Sequence, residues 1–156
     1  MKKVITTVLL LILAVSFTGC GKYKVGGLSN IEVNSFGEAS MVINEGSVTP
    51  TSVGVVIDNE SEFELESGNE YDLFIEKEEE DGWHSLVLNK EIANTAEALG
   101  FGKGKTEITL IWEYVYGGLP KGHYRVVKGF WTFDETKEGP EAYGDTFFLS
   151  AEFDID

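Results

Sequence analysis

Few side chains in this 156-residue chain are suited to metal or nucleophilic chemistry: two histidines, His84 and His123, and a single cysteine, Cys20. A zinc site would need both histidines to converge with a carboxylate, because one cysteine cannot build a thiolate cluster. The histidines fall in separate extended segments and read as surface residues, so no metal site is assigned. No serine lies in a Gly-x-Ser-x-Gly turn. The run Gly100-Phe101-Gly102-Lys103-Gly104-Lys105-Thr106 has the glycines and lysine of a phosphate-binding loop. Leu99 stands where the first glycine is needed, however, and a strand from Glu107 to Tyr116 follows instead of a helix whose N-terminus would hold the phosphates. The expectation is a protein that is not an enzyme and needs no cofactor.

Two groups could hold a ligand without catalysis. Glu76-Lys77-Glu78-Glu79-Glu80-Asp81-Gly82 is a dense acidic turn with carboxylates for Ca²⁺, and Asp134-Glu135 and Glu138 to Glu141 form a second acidic set. The turn lacks the alternating spacing of an EF-hand loop, and such runs at hairpin tips are ordinarily solvated. Trp83, Trp112 and Trp131 are the three tryptophans. Trp112 shares an alternating pattern with Ile108, Leu110 and Tyr114 and reads as core. Trp83 and Trp131 are left as candidate ligand-facing aromatics, of the kind that stack on sugars. With 12 Lys and Arg against 27 Asp and Glu, the net charge is −15, which excludes a nucleic-acid-binding surface built on clustered cations.

The elements that must position these residues begin after an N-terminal address. Met1-Lys2-Lys3 is cationic, Val4 to Val15 is almost continuously apolar, and Ser16-Phe17-Thr18-Gly19-Cys20 follows. A run of about a dozen residues is too short to cross roughly 30 Å of hydrocarbon comfortably as a helix, and the arrangement reads as a secretory signal. Thr18-Gly19-Cys20 resembles a bacterial lipobox, with Phe17 where leucine is usual. That resemblance implies cleavage before Cys20 and a diacylglycerol on its thiol, with palmitate as a natural acyl chain. A chain this acidic is repelled by anionic headgroups, so acyl chains would be its means of staying at a membrane. The organisation expected is a signal peptide over residues 1–19, a lipidated Cys20 and tether over 20–37 with room for one edge strand, and a domain over 38–156.

Within that domain, short stretches alternate apolar and polar residues between Gly, Asn and Pro turns. Ala39, Met41 and Ile43 form one set, and Val53, Val55 and Ile57 another. Tyr71, Leu73 and Ile75 make a third, and Ile108, Leu110, Trp112, Tyr114 and Tyr116 a fourth. Tyr124 and Val126 open a strand running to Trp131, and Phe147, Leu149, Ala151, Phe153 and Ile155 close the chain. Only Lys90 to Leu99 has a helical pattern, with Gly100 as its stop. The hydrophobic fraction of 42% supplies a core. About seven short strands predict an all-β sandwich.

Leu119-Pro120-Lys121-Gly122-His123-Tyr124 resembles a tyrosine corner, in which a Tyr at the start of a strand sends its hydroxyl back to upstream backbone. Leu119, Pro120, Gly122 and Tyr124 are its expected members, and Val126 stands where antibody domains place a cysteine. Further segments extend the resemblance: Thr49-Pro50-Thr51-Ser52-Val53, Tyr71 to Lys77, Gly82-Trp83, Trp112 and Tyr116-Gly117-Gly118-Leu119-Pro120. Together, from about Val48 to Gly129, they resemble a bacterial Ig-like domain found in lipoproteins and other surface proteins. The resemblance implies an immunoglobulin-like β-sandwich outside the cytoplasmic membrane and brings over no catalytic residues. The expected function is a membrane-anchored, non-catalytic interaction module in the cell envelope. It would be held through Cys20 and bind an extracytoplasmic protein partner. The alternatives are a carbohydrate or cell-wall binder using Trp83 or Trp131, and an inhibitor of a secreted hydrolase.

Overall fold

The computed structural model describes residues 23–87 and 97–156. Among these residues the chain forms ten β-strands and one turn of 3-10 helix at Gly139–Ala142. The strands are β1 (Lys24–Leu28), β2 (Ala39–Ile43), β3 (Ser52–Asn59), β4 (Glu64–Ser67), β5 (Phe74–Glu79), β6 (Gly82–Val87), β7 (Leu99–Phe101), β8 (Gly104–Ile111), β9 (Gly122–Phe133) and β10 (Phe147–Ile155). They make two sheets. The smaller runs β2-β3-β8, and the larger runs β1-β6-β5-β9-β4-β7 with β10 also on β9. The all-β sandwich expected from period-2 patterning is the observed architecture, with more strands than the seven expected. The short β4 and β7 carry too few large apolar residues to announce themselves.

β9 organises the large sheet. One edge pairs with β10 from Gly122 to Phe130. Along the other edge lie β5, against Tyr124–Val127, and then β4, against Trp131–Phe133. β4 and β5 thus form one line interrupted by the loop of residues 68–73. Alternation sends one face of each strand inward. Val53, Val55 and Ile57 of β3 are fully buried, as are Tyr124, Val126 and Phe130 of β9 and Leu149 of β10. Phe153 stacks between Trp112 and Tyr124, with ring centroids 5.4 and 5.8 Å away. Burying side chains of this size contributes roughly 1.5–3 kcal/mol each, so this aromatic stack and the β3 valines dominate the core.

Three expectations are corrected. The strand read from Glu107 to Tyr116 ends at Ile111. Beyond it the amides of Val115 and Tyr116 return to the Trp112 carbonyl, and that of Gly117 to Glu113, which is a helical turn. Trp112, Val115 and Tyr116 are therefore buried, while Tyr114 is 70% exposed instead of sharing the Trp112 face. The strand read from Tyr71 begins at Phe74, because the Asn69 side-chain oxygen accepts from the amides of Tyr71 and Asp72 and holds that stretch as a turn. The helix read over Lys90 to Leu99 lies mostly outside the described residues. Its end is strand: Leu99–Phe101 pairs with β4, and Gly100 sits opposite Glu66 instead of capping a helix. The Glu64 carboxylate lies over Gly100, where a Cβ would displace it.

Residues 23–37, part of the stretch read as a tether, lie on the sandwich. β1 pairs with β6 at the edge of the large sheet. The Ser29 amide then donates to the Trp83 carbonyl of β6, and the Asn34 amide to the Phe148 carbonyl of β10. Five residues thus carry the chain from one side of the sheet to the other, and Phe36 then stacks on Phe147 at 4.3 Å.

Candidate functional site

At the segment that resembles a tyrosine corner, the side chains and backbone make a compact set of contacts. The Tyr124 hydroxyl donates to the Pro120 carbonyl at 2.9 Å. A Cβ on Gly122 would lie 3.1 Å from the Tyr124 ring, so glycine lets the strand start flat against it. Burial pushes the Tyr124 phenol up from its ordinary value. The Pro50 carbonyl accepts both the Leu119 amide at 2.8 Å and the Trp112 indole N–H at 2.9 Å, fastening the corner to the turn before β3. These contacts are architectural.

The outward face of the large sheet brings Glu76, Trp83 and His123 together around Arg125. Glu76 was read as part of a solvated acidic turn, but it is fully buried. It accepts from Arg125 Nε at 2.5 Å and from the Ser85 hydroxyl at 3.3 Å. The Arg125 guanidinium lies 4.7 Å over the Trp83 ring, and His123 is tilted against that ring at 5.6 Å. Trp83 is half-buried and stacked by protein groups, while the Trp131 indole N–H donates to Glu66 at 3.0 Å. Of the acidic turn, Lys77 pairs with Glu79 and Asp81 with His84, which leaves Glu78 and Glu80 without an ion pair of this kind.

The two histidines do not converge. His84 Nδ1 faces the Gly26 carbonyl at 3.0 Å and Nε2 faces Asp81 at 2.8 Å. His123 Nδ1 faces Asp154 at 2.7 Å and Nε2 faces Glu152 at 3.4 Å. Acceptors at both nitrogens favour the imidazolium, and both pKa values are raised: His84 first by the Gly26 carbonyl, His123 first by Asp154. Among the described residues, no group of three or more His, Cys, Asp and Glu is placed to hold a metal ion. In the glycine-rich run, Gly104 takes φ +102° to enter β8, and Lys103 pairs with Glu62 at 2.5 Å.

Lys128 is the second buried charge. Its ammonium donates to the carbonyls of Gly68, Asn69 and Asp72 at 3.0, 2.8 and 2.9 Å. Where the 68–73 loop leaves the β9 ladder, its carbonyls lose strand partners, and the lysine supplies donors in their place. Burial pushes its pKa down to about 8. A signal for both buried charges was available, since Arg125 and Lys128 interrupt an otherwise apolar run in β9.

One open surface is the corner between β2 and β10. Asn34, at φ +58°, occupies part of the β10 edge: besides its amide bond to Phe148, its side-chain oxygen accepts from the Ser150 amide at 2.9 Å and its Nδ2 donates to the Ser150 hydroxyl at 3.0 Å. Past Asn34 the two strands form no ladder with each other. A groove of about 390 Å³ separates them, lined by Met41, Val42 and Ile43 on one side and Ser150, Ala151 and Glu152 on the other.

This two-sheet sandwich defines a class. Residues 35–153 match the bacterial Ig-like domain, and the chain belongs to that family. The match reaches from before β2 nearly to the end of β10, further than the Val48–Gly129 stretch that carries the resemblance in the sequence. Domains of this family are in general non-catalytic. No curated protein and no solved structure matches the chain.

Proposed function

We propose that this chain is a lipid-anchored envelope protein that displays its Ig-like domain outside the cytoplasmic membrane to bind a protein partner. The observation that carries the reading is the division of labour along the chain. The family domain starts at residue 35, and what precedes it contains the lone cysteine, placed after a cationic and apolar leader. Cys20 and the leader lie outside the described residues, so this anchor is argued from sequence. The buried charges Glu76 and Lys128 are satisfied within the domain, by Arg125 and Ser85 and by the loop carbonyls, which leaves its edges and end loops for recognition.

Two measurements test the reading in the source cells. Labelled palmitate should enter the wild-type chain and not Cys20→Ala, and the variant should leave the membrane fraction. Label in both, or equal membrane retention, would overturn the anchor. Cross-linking in intact cells should capture a defined protein partner. Retention by cell-wall glycan with no protein captured would replace the interaction module with the sugar-binding alternative.

A further inference from the structure

The partner's mode of binding follows from the β2–β10 corner. In an antiparallel pair, both polar backbone groups of a residue point to the same side, and successive residues point to opposite sides. Glu38 pairs toward β3 through its carbonyl, and Asn44 does so through its amide. Alternation therefore aims the N–H and C=O of Met41 and Ile43 out of the sheet, where they have no partner among the described residues. The Ala39 amide faces the same way but returns to the Phe36 carbonyl at 3.3 Å. On β10, Asn34 takes the Phe148 carbonyl and the Ser150 amide, leaving the Ser150 carbonyl and the outward groups of Glu152 and Asp154. The two edges are comparably open, and the β2 side of the groove between them is lined by the apolar Met41, Val42 and Ile43, of which Met41 is 4% exposed and Val42 54%.

Charge decides what fits. From Ser29 to Thr49 the chain carries Glu32, Glu38 and Glu45 with no Lys or Arg, and from Asp145 to Asp156 it carries Asp145, Glu152, Asp154 and Asp156, again with none. His123 pairs with Glu152 and Asp154 when its ring is protonated. A second copy meeting this edge would set carboxylates against carboxylates, which disfavours self-pairing. The same rim attracts a cationic segment and raises its rate of encounter.

We propose that the corner accepts an extended segment of a partner protein that carries Lys or Arg and adds as a β-strand to the free edge of β2. This rests on the interaction-module reading. Main-chain bonds to Met41 and Ile43 supply the attachment, and the groove takes alternate side chains. The rim of Glu38, Glu45 and Glu152 selects the positive charge.

The test uses the full chain in detergent micelles with end-blocked hexapeptides: Lys-Val-Thr-Val-Lys-Val, the same peptide with Glu for Lys, and the Lys peptide N-methylated at alternate residues. The Lys peptide should shift the Met41 and Ile43 amide resonances and slow their hydrogen exchange, and the other two should not. Glu38→Lys combined with Glu45→Lys should weaken binding roughly tenfold, with the difference shrinking in high salt. Equal binding of the Glu peptide, or shifts confined to other loops, would overturn the proposal. So would a fully unperturbed Met41–Ile43 edge at millimolar peptide. A photo-cross-linker at position 42 separates this failure from that of the function. A partner captured in cells only from other positions removes the groove and keeps the module, whereas no partner from any position removes both.

Discussion

β9 and the β2–β10 corner treat polar groups in opposite ways. β9 is paired along both edges, and the charges near it are enclosed: Glu76 with Arg125, and Lys128 with three carbonyls. At the corner, backbone groups face outward beside an acidic rim with no ladder between the strands. An unpaired polar group is costly in the interior and nearly free at a wet edge. Polar residues within β9 are therefore under the demands of stability, and those at the corner are available for recognition. A mutation should accordingly damage folding in the first region and binding in the second.

The largest expected effect is at Glu76. Glu76→Ala leaves the Arg125 guanidinium without its buried partner and should cost about 3–5 kcal/mol in urea unfolding. A change under 1 kcal/mol would show that the pair is dispensable and would blur the contrast. Lys128→Met removes the ammonium donor shared by the carbonyls of Gly68, Asn69 and Asp72 and should cost roughly 3 kcal/mol. Its pH dependence sharpens the case. With the folded pKa down at about 8 against 10.5 in the unfolded chain, the unfolded state holds more protons above pH 8. Wild-type stability should then rise relative to Lys128→Met by roughly 2 kcal/mol between pH 8 and pH 10. At higher pH Tyr116, pushed up to about 12 by burial, and Tyr124 lower the stability of both proteins alike, because the unfolded phenols ionise first. The difference between the two curves is kept. Parallel curves for the two proteins would mean the ammonium is not buried as described.

Tyr124→Phe removes one hydroxyl bond and keeps the ring in its stack, so a loss of about 1 kcal/mol is expected by thermal or urea unfolding. His84 should show a local effect. Its raised pKa means that the bond to the Gly26 carbonyl is strongest in acid and weakens as pH rises through the titration, so hydrogen exchange along β1 should rise with pH beyond its intrinsic increase. His84→Gln should remove that excess. Smallest of all, Glu38→Lys with Glu45→Lys should change stability by less than about 0.5 kcal/mol while weakening a cationic strand. A large stability loss there would contradict an open corner.

How much was legible follows the same division. The β10 alternation of Phe147, Leu149, Ala151, Phe153 and Ile155 needs one apolar face and nothing else, so local pattern suffices. The tyrosine corner was legible because glycine, proline and tyrosine have steric requirements that few other residues meet. Tyr114 was misplaced because a helical turn replaced the strand after Ile111, and the amides that chose the Trp112 carbonyl carry no mark in the side-chain pattern. Glu76 was lost in a run of acids, since burial of one carboxylate among many depends on what crosses the strand from β9.

The amino-acid sequence by itself determined an all-β sandwich, its inward faces, and its membership of a family recognisable at Leu119–Tyr124, because periodicity and turn chemistry act over a few neighbouring residues. Tertiary structure alone decided which charges are interior, that Lys128 fills the gap left by the 68–73 loop, and that β2 and β10 stand side by side without pairing. Those outcomes join residues as distant in the chain as Asn34 and Ser150. Which backbone groups find partners is settled only when the strands take their places.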